Sequence, residues 1–248
     1  MECYVIASGK GGTGKTTVTA GVGTALAARG LTCLVIDGDV GVRSLDLTLG
    51  MYDSAPMDFL DVAEGRTELM SAVEEHPTQK GLFLLTAPTF SQKIPGNVLR
   101  KVTELAEKTG RFDFVLIDAP AGIGEDFQRA ANGASRGIVV ATPDAISLRS
   151  ADRTASVLEN SGIGDCRLVV NRVRPRVIER NNTPNIDDAM DMAGLPLLGM
   201  IPEDENVLIA GALGHTIAEK APAHKAFSNI AARLDSQEVP LMRIRFTR

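Results

Sequence analysis

Residues 3–17 read CYVIASGKGGTGKTT, and the rest of the chain is organised around this stretch. Its first six residues, Cys3–Ser8, are a continuous apolar run of strand length. The next eight, Gly9–Thr16, match the pattern G-x-x-x-x-G-K-[ST]. An alanine-rich helical segment follows over Thr17–Arg29 and is closed by Gly30. Strand, glycine-rich turn and helix, in that order, are what a phosphate-binding loop requires. Glycines let successive backbone N–H groups curl around an anion, and the helix N-terminus adds a favourable dipole. Gly9, Gly11, Gly12, Thr13 and Gly14 would form the cradle. Lys15 would reach the β- and γ-phosphates, and the Thr16 hydroxyl would face Mg2+. Lys10 is a second positive charge that the basic pattern does not demand.

Outward from the loop, apolar runs recur at Thr32–Asp37, Leu82–Thr86, Phe112–Asp118, Gly137–Thr142, Arg167–Asn171 and Leu197–Ile201. Helical periods separate them. Val98–Lys108 places Val98, Val102, Leu105 and Ala106 on one face. Ser147–Asn160 and Ala223–Leu234 are two more helices, the latter with Phe227, Ile230, Ala231 and Leu234 inward. Continuous rather than alternating apolar strands indicate a sheet covered on both sides. The expectation is an α/β, doubly wound, mostly parallel sheet with helices on both faces, built as a P-loop NTPase. No long linker divides the chain, so residues 1–238 are read as one domain and residues 239–248 as a tail. The stretch Arg172–Asn185, RVRPRVIERNNTPN, carries four arginines and reads as a solvated loop.

Several carboxylates and one amide fall at strand ends. Asp37 ends one strand and Asp39 follows at i+2, on the same face if the extended geometry persists. Such a pair suits Mg2+-bound water and a water nucleophile. Asp118 closes FDFVLID as a metal-supporting aspartate would. An Asn171 side chain can both donate to and accept from an adenine edge, and a plain turn residue is an equal reading. Pro202 follows the last strand. All of these sit past strand carboxyl ends, where open doubly wound sheets bind ligands.

Composition narrows the alternatives. In 248 residues, 26 Lys and Arg against 31 Asp and Glu give a net charge of −5, which disfavours a non-specific nucleic-acid coat. There is no tryptophan and only 4% aromatic residues, which disfavours base stacking on exposed rings. Cys3, Cys33 and Cys166 are scattered without a CxxC, so a disulfide framework or zinc ribbon is not expected. Instead, these cysteines fit core packing. His76, His215 and His224 lack metal-ligand spacing. No apolar run reaches 18 residues, and the N-terminus lacks a basic signal-peptide region. Residence in the cytoplasm is therefore expected.

The loop KGGTGKTT (Lys10–Thr17) resembles the deviant Walker A motif of the MinD/ParA family, whose mark is the early lysine. DGDVGVRSLDLTLG (Asp37–Gly50) is similar to the switch I region of its MinD branch, and DAPAGI (Asp118–Ile123) to the Walker B and switch II segment. TPDAISLRSADR (Thr142–Arg153) and IPEDENVL (Ile201–Leu208) also resemble that branch. The resemblance covers about the first 240 residues. It implies an ATP-hydrolysing switch that dimerises with ATP sandwiched between protomers and spatially regulates cell division. Lys10 would cross to the partner's phosphates, like an arginine finger. Lys15 would bind the β/γ-phosphates, Thr16 Mg2+, and Thr17 the α-phosphate. Asp39 would position the attacking water, with Asp37 and Asp118 supporting the metal through waters. Asn171 and the loop after Pro202 would hold adenine, and Asp152 would meet regulatory partners.

The implied cofactors are ATP or ADP with Mg2+. The implied partners are a second copy of the chain and division regulators of MinC/MinE or polar-scaffold type, with no specific nucleic acid. VPLMRIRFTR (Val239–Arg248) resembles the segment before the family's membrane-inserting helix. Arg243, Arg245 and Arg248 are basic, and ten residues with apolar groups at Leu241, Ile244 and Phe246 make only a marginal anchor. Peripheral attachment to the inner face of the cell membrane is expected only if this tail suffices or a further anchor exists. Two other readings remain: a ParA-like ATPase that positions DNA or cargo, and an ATP-dependent carboxylate ligase of the dethiobiotin-synthetase type.

Overall fold

The computed structural model describes residues 1–52, 57–89, 94–179 and 183–242. In chain order its elements are β1 (Glu2–Ala7), α1 (Lys15–Ala28), β2 (Cys33–Asp37), α2 (Leu45–Leu49), α3 (Phe59–Ala63), α4 (Leu69–Ala72), β3 (Glu74–Glu75), β4 (Leu82–Leu85), α5 (Val98–Thr109), β5 (Phe114–Asp118) and α6 (Glu125–Ala131). They continue with β6 (Arg136–Ala141), α7 (Ala145–Asn160), β7 (Cys166–Val173), α8 (Pro175–Glu179), α9 (Ile186–Ala193), β8 (Leu197–Pro202), α10 (Glu205–Leu213) and α11 (Pro222–Leu234). Among the described residues the strands form an eight-stranded sheet in the order β3-β4-β2-β5-β1-β6-β7-β8. Every pairing is parallel except β3 with β4. The chain winds from β1 toward β2 on one side and toward β6 on the other, so the strand order reverses at β1, where ligands bind in such sheets.

The strand period of two builds both cores. Cys3, Val5 and Ala7 of β1 enter one apolar cluster, together with α5 and α7. Tyr4 and Ile6 enter the other, together with α1 and α11. The three cysteines are buried, as expected of small apolar packers. Phe227, Ile230, Ala231 and Leu234 point inward as expected. Helix α5 differs in one residue: Leu105 is exposed, and the buried face runs through Val98, Leu99, Val102 and Ala106. The i, i+4, i+8 row of 98, 102 and 106 defines that face, and 105 lies at its margin.

Other differences have local causes. Helix α1 starts at Lys15 rather than Thr17, because Gly14 takes the left-handed conformation and ends the loop. The segment from Arg172 is not wholly a loop: Arg172 and Val173 continue β7, and Pro175 opens a short helix, a position where proline's missing N–H costs nothing. Arg180, Asn181 and Asn182 of that segment lie outside the described residues, as do residues 243–248 of the tail with Arg243, Ile244, Arg245, Phe246 and Arg248. Helix α9 is additional. Asn185 and Asp188 form a reciprocal capping box at its start, a signal carried by neighbouring residues of the chain. No described helix is long and apolar enough to cross a membrane.

Candidate functional site

The loop after β1 runs across the carboxyl edge of the sheet and hands over to α1. Gly14 sits at φ +92°, and a Cβ there would meet Nδ2 of Asn171 at 2.3 Å. That close approach lets Asn171, on β7, donate a 2.8 Å hydrogen bond to the carbonyl of Thr13. Gly9 lies as tightly against helix α7, where a Cβ would strike Ser150 Oγ at 2.3 Å. The loop is thus clamped from both sides by elements distant in sequence.

Its two lysines meet opposite surroundings. Lys15 is buried, and its Nζ donates to Ser8 Oγ at 3.1 Å. Burial lowers its pKa, against the pull of the Asp118 and Asp39 charges. An ammonium has three donors, so a buried Lys15 with this single partner among the described residues has donors left for an anion. Lys10 is exposed instead, with its Nζ 3.6 Å from Asp144 Oδ1 at the start of α7.

Beneath the loop lies an acidic floor. Asp37 and Asp118 are in register at the ends of adjacent strands β2 and β5. Both oxygens of Asp118 are engaged, one by Thr16 Oγ1 at 2.6 Å and the other by Thr19 Oγ1 at 3.1 Å. Burial pushes its carboxyl up to about 7, opposed first by the Thr16 hydrogen bond. Asp37 accepts from the backbone N–H groups of Asp39, Ser44 and Leu45 at 2.9–3.0 Å. Burial raises its pKa, while the Leu45 and Asp39 N–H donors lower it. Asp37 therefore organises the loop 39–45 as well as facing the floor. Asp39 is half-buried; burial raises its pKa and the Lys15 charge opposes the rise. Thr16 is also 3.5 Å from Ser44 Oγ. The clustered hydroxyl and carboxylate oxygens are hard donors that fit Mg2+.

On the other side of the loop opens a cleft of about 850 Å3. Thr17, Asn171 and Pro202 line it, so the structure brings these three expected residues together. Asp152 is not brought to the loop. It is exposed on α7, with Oδ1 3.6 Å from where a Cβ at Gly194 would sit. Reading the sequence missed Ser8, Thr19, Ser44 and Asp144. Only Thr19 had a usable signal, since i+3 from Thr16 puts both hydroxyls on one helix face.

Residues 4–217 match the model of the CobQ/CobB/MinD/ParA nucleotide binding domain. The septum site-determining protein MinD of Bacillus subtilis is 39% identical over 247 residues, covering 97% of this chain and 91% of that one. This chain belongs to the MinD family. The structure of the MinC:MinD cell division complex of Aquifex aeolicus contains a chain matched at 36% identity and TM-score 0.92, covering 98% of this chain and 99% of that one. MinD of Pyrococcus horikoshii, solved with Mg-ADP, matches at 29% identity and TM-score 0.84, covering 94% and 96%. The MinD family acts in division-site placement and binds nucleotides, and the eight-stranded sheet with its edge loop is the MinD fold.

Proposed function

We propose that this MinD-family chain binds ATP with Mg2+ at the loop Gly9–Thr17, hydrolyses it to ADP and phosphate, and uses the cycle to dimerise and release. The observation that carries this reading is the contrast between the two lysines of one loop. Lys15 is buried beside two carboxylates with donors to spare, whereas Lys10 is 45% exposed at the surface. A buried lysine serves its own protomer's phosphates; an exposed one is free to serve a second protomer's. Lys10, Lys15 and Asp39 are assigned to the chemistry, with Lys10 acting in trans and Asp39 orienting the attacking water. Thr16 would hold Mg2+, supported by Asp37 and Asp118. Mg2+, when bound, neutralises charge on the phosphates. Gly9, Gly11, Gly12, Thr13, Gly14 and Thr17 cradle the phosphates, and Asn171 and Pro202 face the base.

Residues 1–238 form the ATPase unit in this reading and 239–248 the tail. The partner solved with the Aquifex aeolicus relative is MinC, and a MinC-like regulator is the partner proposed here, meeting the exposed Asp152. Attachment to the inner membrane surface follows only if an anchor is present. The test is the size of the protein in solution by light scattering. A dimer with ATP and Mg2+ but not with ADP supports the switch. A monomer with both, together with ATP turnover only when an organic acid is added, supports the carboxylate-ligase reading instead.

A further inference from the structure

The Mg2+ site proposed above uses Thr16 and leaves Thr19 without a role. Thr19 is buried one turn further along α1 and does not line the cleft. A threonine inside a helix commonly turns its hydroxyl to the carbonyl four residues back. Thr19 has that carbonyl, Lys15 O, at 3.1 Å. It also has Asp118 Oδ1 at 3.1 Å. One hydroxyl proton thus faces two acceptors at equal distance, a neutral carbonyl and a buried carboxylate. A charge-assisted hydrogen bond is roughly twice as strong as a neutral one, so the carboxylate takes the larger share. The other oxygen of Asp118 is held from the same helix, by Thr16 at 2.6 Å.

Two partners do what one cannot. The last torsion of an aspartate has no sharp staggered wells, so hydrogen bonds set the plane of its carboxylate. The backbone at Asp118 is already fixed, because its carbonyl accepts from the Gly38 N–H at 2.9 Å. Thr16 alone would pin one oxygen and leave the plane free to turn. Thr19 pins the second oxygen. The Thr16 hydroxyl has one proton and two lone pairs, and that proton has a competing direction, Ser44 Oγ at 3.5 Å. A fixed Asp118 keeps the proton on the carboxylate and leaves the lone pairs for a hard cation. We propose that Thr19 is a positioning residue of the Mg2+ site: it fixes the Asp118 carboxylate, which in turn orients the Thr16 hydroxyl. The proposal rests on the reading of the loop as a Mg2+-nucleotide site.

The test is titration calorimetry of ADP on the full chain, once in excess Mg2+ and once in EDTA. The quantity read is the gain in ADP affinity that Mg2+ confers. Thr19→Val keeps the branched shape and removes the hydroxyl. It lowers the Mg2+ gain about tenfold and leaves ADP affinity in EDTA within about twofold, as removal of a group that orients a metal ligand does. Thr19→Ser restores the gain, and Thr19→Cys, a weaker donor, falls between serine and valine. Equal loss of ADP affinity with and without Mg2+ overturns the proposal, because the defect would then be structural. A serine variant as defective as valine overturns it too. A cysteine variant with the full gain of serine overturns it even if the valine variant does not fold. If the unaltered chain binds ADP equally well in Mg2+ and in EDTA, the Mg2+-nucleotide reading falls together with the role of Thr19. If the unaltered chain shows the gain and Thr19→Val keeps it in full, only the role of Thr19 falls.

Discussion

At the phosphate end of the cleft, eight consecutive residues, Gly9–Thr16, supply loop, lysines and hydroxyl. At the opposite end, Asn171 and Arg172 from β7 meet Pro202 and Glu203 from the end of β8, and one backbone is strained to make them converge. The first end is held by buried charge: Lys15, Asp37 and Asp118 are all shielded from water. The second end is open, and its arginines and carboxylates are solvated. Charge acting on an anion gains most where water is excluded. Asn171 is the hinge between the two ends, since its amide donates to Thr13 and its carbonyl accepts from Arg172.

The largest way to break this contrast is at the exposed lysine. Lys10→Ala is expected to retain ADP binding and to lose ATP-stimulated dimer hydrolysis by about 10³-fold, in line with fingers that act in trans. Steady-state phosphate release checks it, and unchanged turnover removes the trans role. Asp39→Ala comes next, with hydrolysis lower by about 10²–10³-fold and an ATP-bound dimer that persists. Light scattering with ATP would show a monomer if Asp39 were needed for assembly rather than for water.

Asn171→Ala tests the hinge. Removing its amide leaves the Thr13 carbonyl and the Arg172 N–H without this partner, at a cost of about 1–3 kcal/mol. Urea unfolding without nucleotide reads that cost, and the variant should also weaken ADP binding at both ends of the cleft. The smallest effect belongs to a control away from both ends. His76 is buried; its Nε2 faces the Leu49 carbonyl at 3.0 Å, and its Nδ1 accepts from the N–H groups of Thr78 and Gln79. Those partners assign a neutral ring, and burial lowers its pKa from 6.5. The folded state thus binds fewer protons than the unfolded one below pH 6.5. This share of stability is complete above that value and is lost as pH falls from it toward the lowered folded pKa. His76→Gln should flatten the fall of melting temperature between pH 7 and pH 5 by this contribution, leaving ADP affinity unchanged at pH 7.

Much of the molecule is legible along the chain. The strand–loop–helix order around Gly9–Thr16, the apolar runs, and the carboxylates at strand ends follow from neighbours in sequence. Turn chemistry and hydrophobic period act over a few residues, so pattern alone places Asp37, Asp118, Asn171 and Pro202 at one edge of the sheet. Capping residues such as Asn185 and Asp188 are equally local, and they are enough to mark the start of α9. The two-residue strand β3 carries no period, and its pairing with β4 exists only once the edge of the sheet is formed.

The class of sheet and the phosphate end are written in contiguous residues, so they can be read along the chain without any knowledge of its packing. Tertiary structure alone decided which side chains share a site. It set the strand order that puts Asn171 against a loop 158 residues earlier, and the depth of burial that raises Asp118 to about 7. It also decided the left-handed backbone at Arg172. These depend on desolvation and on contacts between distant segments. Such terms are properties of the packed chain, and no local pattern of residues carries them.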